Sequence, residues 1–390
     1  MRVAVAYDCL HPWTVGGEER WLRLLAEQLA TAGHEVTYLT RQQWDDASPP
    51  DVPGVRVVAV SAREPLYGPD GTRRTGEALR YAAGLGRHLA RHRGAYDVLH
   101  TCGFPYFHLL ALRAALAGTH VPVVVDWPEV WSHDYWRAYV GGAAGRVADL
   151  VQRACVLATP TALAFSDRYA QRLTELGVAA VPLRLGGLGP DPADGEPTLA
   201  VPTTPRVVFA GRQIREKRPL LAVQAVAAAR RLTGLTDLTA AVLGAGPEHA
   251  ALVAEVHRLG LAGVVDVPGF VPTAELAGEI RGATCLLHPS SREGFGIVVL
   301  EAAAVGTPVV VVDGPDNAAV ELVVPGVNGE VATDPTPEAV AAAVARVHTA
   351  GAALRASAAA WYAEEAPRLA AAGTAERVAV LYRSLLPTAG

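Results

Sequence analysis

Lysine is almost missing from this sequence: of 34 basic side chains one, Lys217, is lysine and the rest are arginine. That pattern is a GC-rich coding bias, and it sets apart the single position where an ammonium stands. Methionine occurs once, and cysteine four times, at Cys9, Cys102, Cys155 and Cys285, with no close pair. The spacing excludes a disulfide framework and a cysteine metal site, and predicts buried, reduced thiols. No apolar run approaches the roughly 18 residues of a membrane-spanning helix. The N-terminus turns polar at Asp8, too early for the apolar core of a signal peptide, so it reads as a first strand in a cytoplasmic protein. Charge is sparse, at 19 % of residues with a net value of −5, which argues against disorder and against nucleic acid as a partner. Arginine and acids nearly balance over 1–185, so counts alone give no basic membrane patch.

What the chain has in plenty is apolar residues, 51 % of 390, enough for two packed cores. Val-rich runs alternate with Ala/Leu/Arg-rich stretches. The first half predicts strands at Val3–Tyr7, Val36–Thr40, Val55–Val60, Val98–Thr101 and Val121–Asp126, with helices over Glu18–Ala32, Gly76–Arg93 and Phe104–Ala117. A Gly/Pro-rich linker over Gly186–Pro205 follows, and strands restart at Arg206–Ala210, Leu238–Leu243, Val264–Val267, Thr284–His288 and Pro308–Val312. Continuously apolar strands alternating with helices mean doubly wound α/β. The expectation is two Rossmann-like parallel-sheet domains, 1–190 and 200–369, facing across a cleft, with a C-terminal helix over 370–390 returning to the first.

Three loops carry candidate chemistry in the second half. His288-Pro-Ser-Ser-Arg-Glu-Gly-Phe-Gly-Ile-Val-Val-Leu-Glu301 is a strand end, a Gly-rich turn and a helix start near Ile297. Amides there, with those of Gly294 and Gly296, can hold an anion. Glu293 and Glu301 would repel a phosphate, so they are expected to face sugar hydroxyls. Phe209-Ala-Gly-Arg-Gln-Ile-Arg-Glu-Lys217 also follows a strand, and Arg212 and Lys217 can reach one diphosphate. A basic surface loop would have the same composition. Leu243-Gly-Ala-Gly-Pro-Glu248 suggests a dinucleotide turn, but the third glycine of that fingerprint falls on His249, which argues against a nicotinamide cofactor. Gly244 and Gly246 then read as letting the backbone approach another part of a nucleotide.

In the first half, Gly16 and Gly17 open a helix and allow close backbone approach to a ligand, or form a flexible turn. Val125-Asp-Trp-Pro-Glu-Val-Trp-Ser-His-Asp-Tyr-Trp136 places Trp127, Trp131, Tyr135 and Trp136 among acids, which suits a polyhydroxylated acceptor, or else a Trp-anchored contact between domains. Asp126, Glu129, His133 and Asp134 are its candidate acid–base groups.

Together Gly16-Gly17, the loop with Gly211, Arg212, Glu216 and Lys217, Gly244-Ala-Gly-Pro-Glu248, Gly269-Phe270 and Glu293-Gly-Phe-Gly…Glu301 resemble the retaining glycosyltransferases of family four, with the GT-B fold. The resemblance covers most of the chain and is most specific over 206–330. It implies a nucleotide-diphospho-sugar donor, a small-molecule or glycan acceptor, and no metal or other cofactor. It implies that Arg212 and Lys217 hold the diphosphate, that Glu301 holds the ribose hydroxyls and that Glu293 lies near the donor sugar. Gly16, Gly17, Gly211, Gly244, Gly246, Phe270, Gly294, Phe295, Gly296 and Ile297 complete the expected donor site. It also implies that a donor phosphate oxygen takes the acceptor proton. One position departs: where the family places a histidine after the fifth strand, this chain has Pro128, followed by Glu129. Glu129, Asp126 or His133 then takes that role, or none does. The rival expectations are a nucleotide-sugar epimerase of the same fold, which needs no acceptor, and a non-catalytic sugar-binding partner of a transferase, which neither transfers nor hydrolyses donor.

Overall fold

The computed structural model describes residues 1–45, 48–66, 73–183, 197–369 and 371–387. The predicted linker lies, as far as residue 196, outside them. The chain divides into two compact units, Met1–Leu188 with Arg368–Gly390, and Gly189–Pro367.

The first unit runs β1 (Arg2–Ala6), α1 (Gly17–Thr31), β2 (Glu35–Arg41), β3 (Val55–Ser61), α2 (Thr75–Arg91), β4 (Val98–Cys102), α3 (Phe107–Ala115), β5 (Val123–Trp127), α4 (His133–Val140), α5 (Gly142–Leu157), β6 (Thr161–Ala164), α6 (Asp167–Glu175) and β7 (Ala180–Pro182). Its sheet has the order β3-β2-β1-β4-β5-β6-β7, and every pairing is parallel. Strands buried on both faces are mostly apolar; Val98–Cys102 and Val123–Trp127 are buried at every residue, and their polar members His100, Thr101 and Asp126 are each paired. Helix α1 buries Trp21, Leu22, Leu25, Ala26 and Leu29, an i, i+4, i+8 stripe. Ser132 and Ser166 cap α4 and α6 through their hydroxyl oxygens, worth about 1 kcal/mol each. Helix α3 begins three residues later than the sequence suggests, because Gly103–Tyr106 forms a turn closed by the Tyr106 amide on the Gly103 carbonyl at 2.9 Å.

The second unit runs β8 (Arg206–Ala210), α7 (Pro219–Leu232), β9 (Thr239–Leu243), α8 (His249–Arg258), β10 (Val265–Gly269), α9 (Thr273–Arg281), β11 (Cys285–His288), β12 (Arg292–Glu293), α10 (Ile297–Ala304), β13 (Val309–Val312), β14 (Asp316–Asn317), β15 (Gly329–Ala332) and α11 (Pro337–Glu365). Its main sheet has the order β10-β9-β8-β11-β13-β15, while β12 pairs β14 separately. The core gathers Phe209, Val223, Val242, Leu287, Val310 and Val344. Arg355 on α11 is 2 % exposed and donates to the carbonyls of Thr198, Arg281 and Ala283 at 2.9, 2.9 and 2.6 Å. Helix α12 (Ala371–Leu385) belongs to the first unit; its buried Tyr382 hydroxyl lies 2.5 Å from Nδ1 of His100 on β4.

All four cysteines are free and buried. Burial pushes the thiols of Cys155 and Cys285 up to about 12, so they stay protonated and inert, in line with the sequence reading.

Candidate functional site

Each sheet reverses its strand order once beside its first strand, between β1 and β4 in the first unit and between β8 and β11 in the second. In open α/β sheets ligands bind at the carboxyl ends of the strands flanking that reversal. In the second unit those ends carry the Gly211–Lys217 loop and the turn after His288.

The two loops are tied together. The Ser291 amide donates to the Glu216 carbonyl at 2.8 Å, and the Ser291 hydroxyl donates to the same carbonyl at 3.1 Å. Above that link Lys217 Nζ donates to Glu293 Oε2, and His288 Nε2 lies 2.8 Å from the same oxygen. Lys217 and Glu293 are 18 % and 16 % exposed, and His288 is buried. Burial alone would raise the Glu293 pKa. The Lys217 ammonium and His288 outweigh it and hold the carboxyl well below the usual carboxylate range. An ionised carboxylate thus fixes the only ammonium side chain of the sequence at the β8 end. Three of its donors exist and one is used by Glu293, so the others can meet an anion. Arg212 is exposed on the same loop.

Helix α10 starts where the sequence places it. Gly296 precedes it with φ 96°, a conformation that favours glycine, and a Cβ there would lie 2.6 Å from the Ala319 Cβ. Gly294 is buried beside it, Ile297 and Glu301 are half-buried, and Phe295 is 5 % exposed and belongs to the core. Phe295 therefore supports the turn from beneath instead of presenting its ring. Phe270, by contrast, is 71 % exposed directly after β10.

Gly244 and Gly246 pack against the Gly211–Lys217 loop. The backbone that approaches them closely is that of the neighbouring loop. A Cβ on Gly244 would sit 1.9 Å from the Gly211 carbonyl oxygen, and one on Gly246 would sit 2.3 Å from that of Gln213. His249, where the dinucleotide fingerprint needs glycine, starts α8 and bonds the buried Gln213 side chain at 2.8 Å.

The first-unit candidates fall into two groups. Asp126 is fully buried; its Oδ2 accepts from Trp21 Nε1 at 2.8 Å and lies 2.8 Å from His100 Nε2. It anchors α1 to the sheet and is not presented to an acceptor. Trp127 and Trp136 are 1 % and 5 % exposed, so they too are core; Gly103 is glycine because a Cβ would lie 2.8 Å from the Trp127 ring. Trp131 donates from Nε1 to Glu129 at 2.7 Å and packs edge-on against Tyr135 and tilted against Trp136. His133 Nδ1 meets Asp149 on α5 at 3.0 Å, which gives it a structural partner. Gly16 caps α1 in extended backbone, where a Cβ would meet only the flexible end of Glu19; Gly17 begins the helix, exposed.

Two functional candidates escaped the sequence reading. His288 had a signal, a polar residue ending a strand buried at all four positions. Glu18, in the first turn of α1, has its carboxyl pushed well above the usual range, by burial first and by the nearby Asp126 second. Its adjacency to Gly16 and Gly17 gave no hint of that burial.

Residues 193–360 match the glycosyl transferases group 1 family and residues 16–189 match the glycosyl transferase 4-like domain. A D-inositol 3-phosphate glycosyltransferase of Xylanimonas cellulosilytica is 30 % identical over 76 % of this chain and 75 % of its own length. A glycogen synthase of Mycobacterium tuberculosis is 28 % identical over 80 % of this chain and 77 % of its own. Among solved structures, sucrose-phosphate synthase from Thermosynechococcus elongatus aligns with a TM-score of 0.80 at 20 % identity, over 98 % of this chain and 99 % of that one. HepE of Anabaena, solved in complex with UDP, aligns with a TM-score of 0.71 at 18 % identity, over 98 % of this chain and 100 % of that one.

Proposed function

This chain belongs to the retaining glycosyltransferases of family four, with the GT-B fold, and from that premise we propose that its second unit holds a uridine diphosphate donor through Lys217, Arg212 and the α10 amides, without a metal. The protein is a glycosyltransferase that uses a nucleotide sugar; the base, the metal independence and the residue roles are our reading. The observation that carries it is the Lys217–Glu293–His288 cluster at the ends of β8 and β11, one loop from the glycine that starts α10.

The chemistry follows from charge. Breaking the bond from anomeric carbon to phosphate leaves a diphosphate with added negative charge, and a positive charge develops on the sugar. Lys217, Arg212 and the first amides of α10 meet the former, so they act more strongly in the transition state than before it. Glu293, ionised, stands by the latter. Glu301 on α10 accepts from ribose hydroxyls, whose charge does not change. Transfer to the same face of the sugar lets a departing phosphate oxygen take the acceptor proton, so no protein base is required. The exposed Phe270 ring offers a flat apolar face to the base.

The test is calorimetry of the intact protein with UDP, GDP and ADP, each in EDTA and in magnesium. UDP is expected to bind most tightly, with the same affinity in both buffers. Binding that needs magnesium, or that is equal for all three nucleotides, refutes the reading.

A further inference from the structure

The outer face of α5 is apolar where an exposed helix is normally polar. Gly145, Asp149, Gln152, Cys155 and Val156 turn inward and are buried. Val147, Leu150 and Leu157 turn outward, 61 %, 65 % and 70 % exposed, with Ala143 and Ala154 exposed on the same stripe. At about 100° and 1.5 Å per residue the stripe spans roughly 80° of arc and about 21 Å of length. Arg146 and Arg153 are exposed along one edge of it. The helix has one acid, Asp149, which is turned inward onto His133 and Arg153. The face continues into the end of α4, where Tyr139 and Val140 are 48 % and 44 % exposed near exposed Arg137.

We propose that this face of the first unit seats on an anionic lipid surface, with Val147, Leu150 and Leu157 at the acyl boundary and Arg146 and Arg153 on lipid phosphates. An aliphatic stripe edged by arginine and free of outward acid is the pattern of a helix lying in the membrane interface, and guanidinium matches phosphate in fork geometry. Charge disfavours a second copy of the chain in an antiparallel two-fold contact, which would bring arginine edge to arginine edge with no acid on the stripe to meet it. The stripe is also one helix wide, well short of the roughly 800 Å² that each partner of a stable dimer buries. The inference is independent of the donor-site reading.

The test is co-sedimentation of the full chain with vesicles of phosphatidylglycerol mixed with phosphatidylcholine, and with vesicles of phosphatidylcholine alone. Binding is expected to the first and not the second, and to fall as salt is added. Arg146→Gln with Arg153→Gln is expected to weaken it at least about tenfold, and Val147→Glu with Leu150→Glu by a similar factor or more. Both pairs lie on the surface, and the one ion pair lost, Arg153 with Asp149, keeps His133 on the same carboxylate, so their thermal midpoints should stay close to wild type. Equal partition into the two vesicle types overturns the proposal, as does full binding by either variant. So does a dimer in sedimentation velocity that Val147→Glu with Leu150→Glu dissociates, since the face would then be a self-association surface.

Discussion

Removing the Glu293 charge should move donor affinity and turnover in opposite directions. In the structure Glu293 accepts from Lys217, and its depressed pKa keeps it ionised. A diphosphate bound to Lys217 must tolerate that carboxylate. Two unit charges about 6 Å apart, at an effective dielectric of about 20, repel by roughly 3 kcal/mol. After screening and relaxation we expect Glu293→Gln to bind UDP on the order of tenfold more tightly. The same substitution removes the anion beside the developing positive charge, so kcat should fall by roughly ten- to a hundredfold. Lys217→Ala removes a charged hydrogen bond worth about 1.5–3 kcal/mol, so UDP binding and kcat/KM should fall together by roughly ten- to a hundredfold. Because the two side chains touch, the double variant should not be additive in binding. Titrating calorimetry on all four proteins, with initial rates, measures this. If Glu293→Gln weakens UDP as Lys217→Ala does, or if the two effects simply add, the pair does not face the diphosphate. The pH sign agrees: a carboxyl whose folded pKa is lowered contributes above its unfolded value and loses that contribution only as pH falls through the folded one. No activity limb in the neutral range should therefore belong to Glu293.

Glu301→Gln should weaken UDP binding by roughly tenfold and leave kcat nearly unchanged, because ribose hydroxyls do not change charge in transfer; calorimetry beside steady-state kinetics tests this. Gly246→Ala drives a methyl to 2.3 Å from the Gln213 carbonyl oxygen, so urea unfolding should show a loss of about 1–3 kcal/mol, with weaker UDP binding because the Lys217 loop must shift. Arg355→Ala strands three carbonyls that now accept from its guanidinium and should cost about 3 kcal/mol or more in the same assay, with little recovery in Arg355→Lys, whose ammonium lacks the fork.

The strands that were legible are those whose burial is written in composition. Parallel strands covered on both faces are mostly apolar, and Val123–Val125 or Val309–Val312 spell that out. The short strands Thr161–Ala164, Ala180–Pro182 and Gly329–Ala332 carry Ala, Pro, Gly and Glu, which strands disfavour, so only their place at a sheet edge or beside an existing strand makes them extended. The anion-binding loops were legible because glycines followed strands. What those glycines approach was not, since the partner of Gly246 is the backbone of Gln213, 33 residues earlier.

The acids show the same limit from the other side. Asp126 stands among tryptophans and another acid, which reads as a ligand-facing constellation. Its real neighbours are Trp21 on α1 and His100 on β4, and they bury it completely. Glu18 sits in an unremarkable acidic first turn, where the helix dipole alone would favour an ionised carboxylate. Burial and Asp126 instead keep its carboxyl protonated over a wider pH range, and one of its oxygens is shut off from solvent. Sequence spacing reports which residues share a helix face or a strand end. It does not report which of two acids the fold seals away and which it leaves able to donate a proton, because that depends on burial and on charges brought in from other elements. For the first unit this matters directly. With Pro128 in the place of the family histidine and Asp126 sealed in the core, Glu18 is an acid beside that strand end whose carboxyl burial and Asp126 push above its usual range.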